Sequence, residues 1–195
     1  MSKEPAATGA AKSSASDLLW IVVIALGVLW MGYVILRGPA RVSLPPANVT
    51  RRGDYGMAEY AWKLRDLKGN LVDFEQYRGR PVFLNIWATW CPPCVSEMPS
   101  INSLAANTRL KDVAFLCVSV EDDLEVVSRF ANSRGLKVPI FLGGAEAPTP
   151  FRTEGIPATF LINREGKIVS KYIGSAEWNE ERVISAIESL AKTVK

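Results

Sequence analysis

Residues 82–94 of the chain read Val-Phe-Leu-Asn-Ile-Trp-Ala-Thr-Trp-Cys-Pro-Pro-Cys. The first six form a mostly apolar run typical of a buried strand. The two prolines after Cys91 suit the first turn of a helix, where backbone N–H groups have no intrahelical partner. Cys91 would then lie at the positive end of the helix dipole, which favours a thiolate, and Cys94 is close enough to form a disulfide with it. These residues predict a redox-active dithiol at a strand-to-helix junction.

The composition of the chain limits the other functions that a C-x-x-C pair could have. A structural zinc site needs a tetrahedral set of Cys or His ligands, whereas the chain has 3 cysteines and no histidine. The lack of histidine also excludes Cys-His and Ser-His nucleophile pairs. A purely structural disulfide stays open, although so short a loop restrains little of the unfolded chain. The third cysteine, Cys117, lies in the apolar run 113–120 and is predicted to be an inert core residue.

Residues 18–36 form an uncharged apolar run between Asp17 and Arg37. At about 1.5 Å per residue, the run is long enough to cross a hydrocarbon core about 30 Å thick. It is too long for the apolar region of a cleaved signal peptide and too continuously apolar for a core helix. We therefore predict a single transmembrane anchor at 18–36, preceded by a disordered tail at 1–17 and followed by a linker at 37–58.

The charges that flank this run argue against an extracytoplasmic position of the C-terminal domain. Lysines precede the run and arginines follow it, so the positive-inside rule would place the C-terminal domain in the cytoplasm. Long domains translocate largely regardless of charge, and disulfide chemistry suits an oxidising compartment. We therefore expect a single-pass protein of the inner (cytoplasmic) membrane whose soluble domain faces the periplasm or another extracytoplasmic space. The net charge of +3 gives no case for nucleic acid binding.

From about residue 59 to 195, strand and helix patterns alternate, which predicts an α/β domain with helices covering a central sheet. Hairpins are expected at 62–67 with 71–74, ahead of the main sheet, and at 158–163 with 168–173. Between them, strands are expected at 82–87, 113–120 and 138–142. Helices are predicted from Pro92 to about Thr108, with a kink at Pro99, and at about 122–134 and 179–194.

Three stretches resemble the thioredoxin-like superfamily, and more closely its membrane-anchored disulfide reductases of the TlpA, ResA and CcmG type. They are residues 85–99, residues 155–162 and residues 163–167, and the likeness covers the chain from about residue 59 onward. It implies a thioredoxin-like fold with a central mixed sheet flanked by helices and an extra N-terminal β-hairpin. It also implies a thiol:disulfide oxidoreductase whose redox group is the Cys91–Cys94 disulfide, with no bound cofactor or metal.

The resemblance assigns roles within the dithiol helix. Cys91 would be the attacking thiolate and Cys94 the resolving thiol. Glu97 follows Cys94 by three residues and would serve it as an acid/base group. Another interpretation makes Glu97 a first-turn carboxylate that the helix dipole stabilises. Asn85 stands where cytoplasmic thioredoxins usually carry an aspartate, which implies that proton handling has moved to Glu97.

The resemblance also places residues opposite the dithiol. Ile156–Pro157 would form a cis-proline loop whose backbone pairs with an extended substrate segment, and Trp90 would contact the same substrate.

Within the dithiol itself, Pro92 and Pro93 remove two N–H donors, which leaves the amide of Cys94 as the nearest donor to the Cys91 sulfur. We therefore expect a moderately stabilised thiolate, as suits a reductant.

The expected function is reduction of disulfides in client proteins outside the cytoplasm, of the cytochrome c maturation or copper-site assembly type. Electrons would come from a membrane donor of the thiol-reducing kind. Three alternatives stay open: a copper metallochaperone using Cys91, Cys94 and Met98, a thiol peroxidase, and a redox-inert interaction module.

Overall fold

A computed structural model of the protein describes residues 15–37 and 55–192, with side chains described for 19–33 and 55–191. The chain divides into two units between residues 41 and 42. The first unit contains one helix, α1 (Ala15–Arg37), whose described large apolar side chains are exposed. Within residues 15–37 and 55–192, no helix meets the length and apolarity needed to cross a membrane. The anchor at 18–36 stays a prediction, and most of the predicted tail and linker lies outside the described residues.

The second unit is an α/β domain built on a seven-stranded mixed sheet, as predicted for a thioredoxin-like fold. Its strand order is β2-β1-β5-β4-β3-β6-β7, with β3, β4 and β5 parallel and the other neighbouring pairs antiparallel. The strands are β1 (Lys63–Asp66), β2 (Leu71–Asp73), β3 (Val82–Trp87), β4 (Ala114–Ser119), β5 (Ile140–Leu142), β6 (Ala158–Ile162) and β7 (Ile168–Ile173). The helices are α2 (Pro92–Ala105), α3 (Leu124–Ser133) and α4 (Glu181–Lys192).

Both predicted hairpins are confirmed, but the first is not a separate feature ahead of the sheet. Strand β1 pairs antiparallel with β5, so that Arg65 lies opposite Leu142 and the hairpin extends one edge of the main sheet. Element ends also differ from the predicted ones. Helix α2 stops at Ala105, because the side chain of Asn107 caps a separate 3-10 helix at Thr108–Leu110. Strand β5 begins only after Pro139, which has no N–H group to donate.

The two faces of the sheet are covered differently. All six residues of β3 are buried, and its five apolar side chains are divided between two hydrophobic cores on opposite faces of the sheet. The buried apolar residues of α2, α3 and α4 all belong to the first core. The second core is closed by aromatic residues of the 3-10 helices Phe74–Tyr77 and Thr149–Phe151 and of the segment before β1, chiefly Tyr60, Trp62, Phe74 and Phe151. The expected flanking helices are thus present on one face, while stacked aromatic rings cover the other.

Candidate functional site

The dithiol lies where β3 ends and α2 begins. Cys91 is the N-cap of α2, with an extended backbone, and forms a disulfide with Cys94 across a Cα–Cα distance of 5.3 Å. The backbone N–H of Cys94 donates to the Cys91 sulfur at 3.3 Å. Pro92 and Pro93 occupy the first two helical positions and have no N–H group to offer. The predicted limit on donors to this sulfur is therefore confirmed.

The two sulfur-bearing residues differ in access. Cys91 retains 4% of its surface exposed and Cys94 none. Next to them, the side chain of Trp90 is 66% exposed. A neighbouring open cleft of about 480 Å³ has Trp90 and Ile156 in its lining, together with Phe151 and Arg152. An incoming molecule therefore meets Cys91 and Trp90 before it can reach Cys94.

The loop before β6 faces the dithiol. The peptide bond between Ile156 and Pro157 is cis, as the resemblance implied. The carbonyl oxygen of Ile156 lies 3.8 Å from the Cys91 sulfur, and the carbonyl oxygen of Pro157 accepts a hydrogen bond from Gly174 N. The structure thus brings Ile156 and Pro157 to the dithiol from a part of the chain more than sixty residues away.

Glu97, on the helix that carries the dithiol, is fully buried. Its Oε1 accepts a hydrogen bond from Asn85 Nδ2 at 2.9 Å, and its Oε2 accepts from Trp178 Nε1 at 2.8 Å and from Ala176 N at 3.1 Å. Burial raises the pKa of Glu97 to about 7, although the hydrogen bonds from Trp178, Asn85 and Ala176 act in the opposite direction. No acidic residue lies in the first turn of α2. The interpretation of Glu97 as a first-turn carboxylate is therefore wrong.

Asn85 links this carboxyl group to the centre of the sheet. Its Nδ2 donates to Thr159 Oγ1 at 2.9 Å as well as to Glu97, while its Oδ1 has no hydrogen-bond partner among the described residues. Cys117 lies opposite Asn85 on β4 and is fully buried. Burial, with a smaller effect from Glu97, raises the pKa of the Cys117 thiol. Cys117 is therefore a core residue, as predicted, and stays protonated at neutral pH.

A second carboxylate near the dithiol was missed by the sequence reasoning. Glu121 follows β4, and its two oxygens accept hydrogen bonds from Thr89 N at 2.7 Å and Thr89 Oγ1 at 2.6 Å. The hydroxyl of Ser119 also donates to Glu121, at 3.0 Å. Thr89 belongs to the turn that leads into Cys91, but nothing in the local pattern around residue 121 indicates this contact.

Potential metal ligands do not cluster at the site within the described residues. No group of three or more His, Cys, Asp or Glu side chains in that part of the chain is placed to hold a metal ion. Met98, the additional ligand named for the copper alternative, is 2% exposed and belongs to the first core.

Comparison with known proteins gives consistent matches. The family model described as Redoxin matches residues 46–187. The thiol-disulfide oxidoreductase ResA of Bacillus thuringiensis (strain Al Hakam) is 34% identical over 110 residues, which are 56% of this chain and 64% of that protein. The chain thus spans less than two thirds of that relative. The ResA of Geobacillus kaustophilus (strain HTA426) is 35% identical over 128 residues, 65% of this chain and 72% of that protein.

A solved structure shows the same fold. The crystal structure of StoA from Bacillus subtilis superposes with a TM-score of 0.54 at 24% sequence identity, covering 67% of this chain and 96% of that one.

Proposed function

Because the chain belongs to the Redoxin family, and its curated relatives include ResA thiol-disulfide oxidoreductases, we propose that it exchanges thiols and disulfides with client proteins through Cys91 and Cys94. One observation carries the proposal. A disulfide closes the first turn of α2, with 4% of Cys91 still exposed to solvent and Cys94 wholly buried on the helix that carries Glu97. That arrangement separates an entry sulfur from a resolving sulfur, as two-step exchange requires.

The reaction conserves electrons and protons. In the reduced enzyme, the Cys91 thiolate attacks a client disulfide, forms a mixed disulfide and releases the other client sulfur as a thiolate. Cys94 then loses its proton and attacks the Cys91 sulfur. The client takes up the Cys94 proton and the proton that Cys91 lost on ionising, leaves as a dithiol, and the Cys91–Cys94 disulfide forms again. A thiol donor must then supply two electrons and two protons to restore the reduced enzyme.

Glu97 is the group that we assign to proton transfer with Cys94. A general base works best when its pKa lies near the working pH, and the pKa of Glu97 is raised to about 7 by burial. We expect Glu97→Gln to slow the reaction of the reduced dithiol with a disulfide and to remove the dependence of the resolving step on pH near 7. Equal rates in the two proteins across this range would contradict the assignment.

The direction that we propose is reduction. Among the described residues, the sulfur of Cys91 accepts from a single backbone donor, Cys94 N, whereas strong oxidants of this fold owe their potential to a well stabilised thiolate. We further propose that residues 18–36 anchor the chain in the cytoplasmic membrane, with the catalytic domain outside the cytoplasm. Clients of the cytochrome c maturation or copper-site assembly type, and a membrane donor of the thiol-reducing kind, fit this placement.

Two measurements on the detergent-solubilised chain test the proposal. Equilibration with glutathione should give a reduction potential below about −200 mV, whereas a value near about −120 mV would mark an oxidant and contradict the direction. Cys94→Ser should accumulate a mixed disulfide with the client, because the resolving thiol is missing. The matched control, Cys91→Ser with Cys94→Ser, should trap nothing. Failure of Cys94→Ser to trap any client from an extracytoplasmic extract would contradict the reaction itself.

A further inference from the structure

The carboxylate of Glu121 joins the ends of two neighbouring strands. One oxygen, Oε2, accepts from Thr89 N at 2.7 Å and from Ser119 Oγ at 3.0 Å, while Oε1 accepts from Thr89 Oγ1 at 2.6 Å. Hydrogen bonds to a charged acceptor are roughly twice as strong as bonds between neutral groups. The three contacts therefore hold the turn after β3 firmly against the end of β4.

The side of this contact that belongs to β4 is rigid. Ser119 is fully buried, and its hydroxyl also accepts a hydrogen bond from Glu121 N at 3.1 Å. The next residue, Val120, donates its N–H to Trp87 O at 3.0 Å. A Cβ atom added to Gly144 would lie 2.8 Å from Ser119 O, so the loop after β5 packs closely on the same strand end. Glu121 therefore extends from a strand end whose position these contacts fix.

The other side of the contact is the turn that presents the reactive residues. Thr89 directly precedes Trp90 and Cys91, and Cys91 N donates a longer hydrogen bond, of 3.3 Å, to Ala88 O. The Cys91 sulfur depends on its position for the bond from Cys94 N at 3.3 Å and for its 3.8 Å approach to Ile156 O. A shift of the turn by a fraction of an ångström would weaken both.

We propose that Glu121 is a positioning residue for thiol exchange, which fixes Trp90 and Cys91 through Thr89. This inference rests on the proposed function, but its first test, the reaction of Cys91 with a small disulfide reagent, does not depend on that function. A carboxylate is suited to this place because all three neighbouring polar groups, two of Thr89 and one of Ser119, donate to it. A glutamine would turn an amide N–H₂ group toward at least one donor and lose that bond.

Thr89→Val is the deciding variant, because it removes the bond to Oε1 while the charge of Glu121 stays. We expect the reduced full chain to react with dithiobis(nitrobenzoate) about fivefold more slowly, as befits the loss of one charge-assisted hydrogen bond that aligns the sulfur. The apparent pKa of Cys91, measured from the same reaction against pH, should rise by about half a unit because the bond from Cys94 N weakens. Thr89→Ser keeps both donors and should restore the wild-type values.

Glu121→Gln is the second test variant, and the double variant Glu121→Gln/Thr89→Val completes a double-mutant cycle. If the carboxylate and Thr89 act as one unit, the two single effects on the rate constant will not add. Glu165→Gln is the charge-matched control, since Glu165 is an exposed residue in the turn between β6 and β7. It should leave the rate constant within twofold of the wild-type value, about 0.4 kcal/mol in free energy.

The outcomes separate three conclusions. If Thr89→Val and Glu121→Gln lower only the unfolding midpoint, and leave the Cys91 pKa and rate constant unchanged, Glu121 is merely structural and the inference is overturned. If Glu121→Gln does not fold, Thr89→Val alone decides the question. Insulin reduction by the same proteins tests the proposed function separately. An inactive wild type would overturn that function, while the reaction with dithiobis(nitrobenzoate) would still decide the role of Glu121.

Discussion

Glu97 shows how one buried carboxyl group can tie proton transfer to stability. Its pKa is raised to about 7 because burial outweighs three hydrogen bonds to the carboxylate. The folded state therefore holds the Glu97 proton more tightly than the unfolded state, where the carboxyl group has its ordinary pKa of 4.5. Stability from this group is fully present below pH 4.5 and is lost as the pH rises through about 7.

We expect the free energy of unfolding of the oxidised protein to fall by on the order of 3 kcal/mol between about pH 5 and pH 8, since each unit of pKa shift corresponds to about 1.4 kcal/mol. Glu97→Gln should remove most of this fall. The glutamine fits if the Asn85 amide turns over, because the unpartnered Oδ1 can then accept from the new N–H₂ group. Urea titrations at several pH values measure the effect. An equal fall in wild type and variant would disprove this link.

The residues of the dithiol helix could be predicted because their chemistry is local. Cys91, Cys94 and Glu97 lie within two turns of one helix, and their spacing alone places them together. The partners of Asn85 and Glu121 could not be predicted in this way. Thr159 is 74 residues from Asn85, and Thr89 is 32 residues from Glu121, so only the sheet register brings them into contact.

At the scale of the element, the first turn of α2 determines how many donors the Cys91 sulfur receives. An N-cap side chain accepts from the N–H of the second or third helical residue. Here Pro93 occupies the second position and Cys94 the third, so only one of these two donors exists.

Pro93→Ala should supply the missing donor, lower the pKa of Cys91 and shift the reduction potential by about 30 mV toward more oxidising values, if the new bond contributes about 1.4 kcal/mol. Pro92→Ala is the matched control, because the N–H of the first helical position does not point at the cap side chain. Equilibration of both variants with glutathione measures the potentials. Identical shifts in the two variants would contradict the proposed geometry.

The strand and helix patterns located the elements of the catalytic domain but not all of their ends. Helix α2 ends earlier than predicted because the side chain of Asn107 accepts a hydrogen bond from Arg109 N. This bond starts a separate 3-10 helix. The pairing of β1 with β5 was also beyond local patterns, since it joins Arg65 to a residue 77 positions later. Alternation of apolar residues identifies a strand, but it does not identify the neighbour to which that strand will pair.

For the whole molecule, the contacts that build the site all lie in the second unit. They connect residues between Asn85 and Trp178, and residues 42–195 form a compact unit of their own. We expect a chain beginning at residue 42 to keep the unfolding free energy and the rate constant for insulin reduction of the full chain in detergent. A large loss of either would show that residues 1–41 contribute to the domain. Chemical denaturation and a turbidity assay measure the two quantities.

The unequal burial of the two sulfur-bearing residues has a kinetic consequence. With Cys94 wholly covered and Cys91 at 4% exposure, a donor and a client must use the same sulfur in turn. The two partners therefore compete for one docking position, and no ternary complex can carry electrons directly between them. Steady-state reduction of a client at several donor concentrations should give parallel double-reciprocal lines, and an excess of either partner should inhibit turnover by occupying the enzyme form that the other requires.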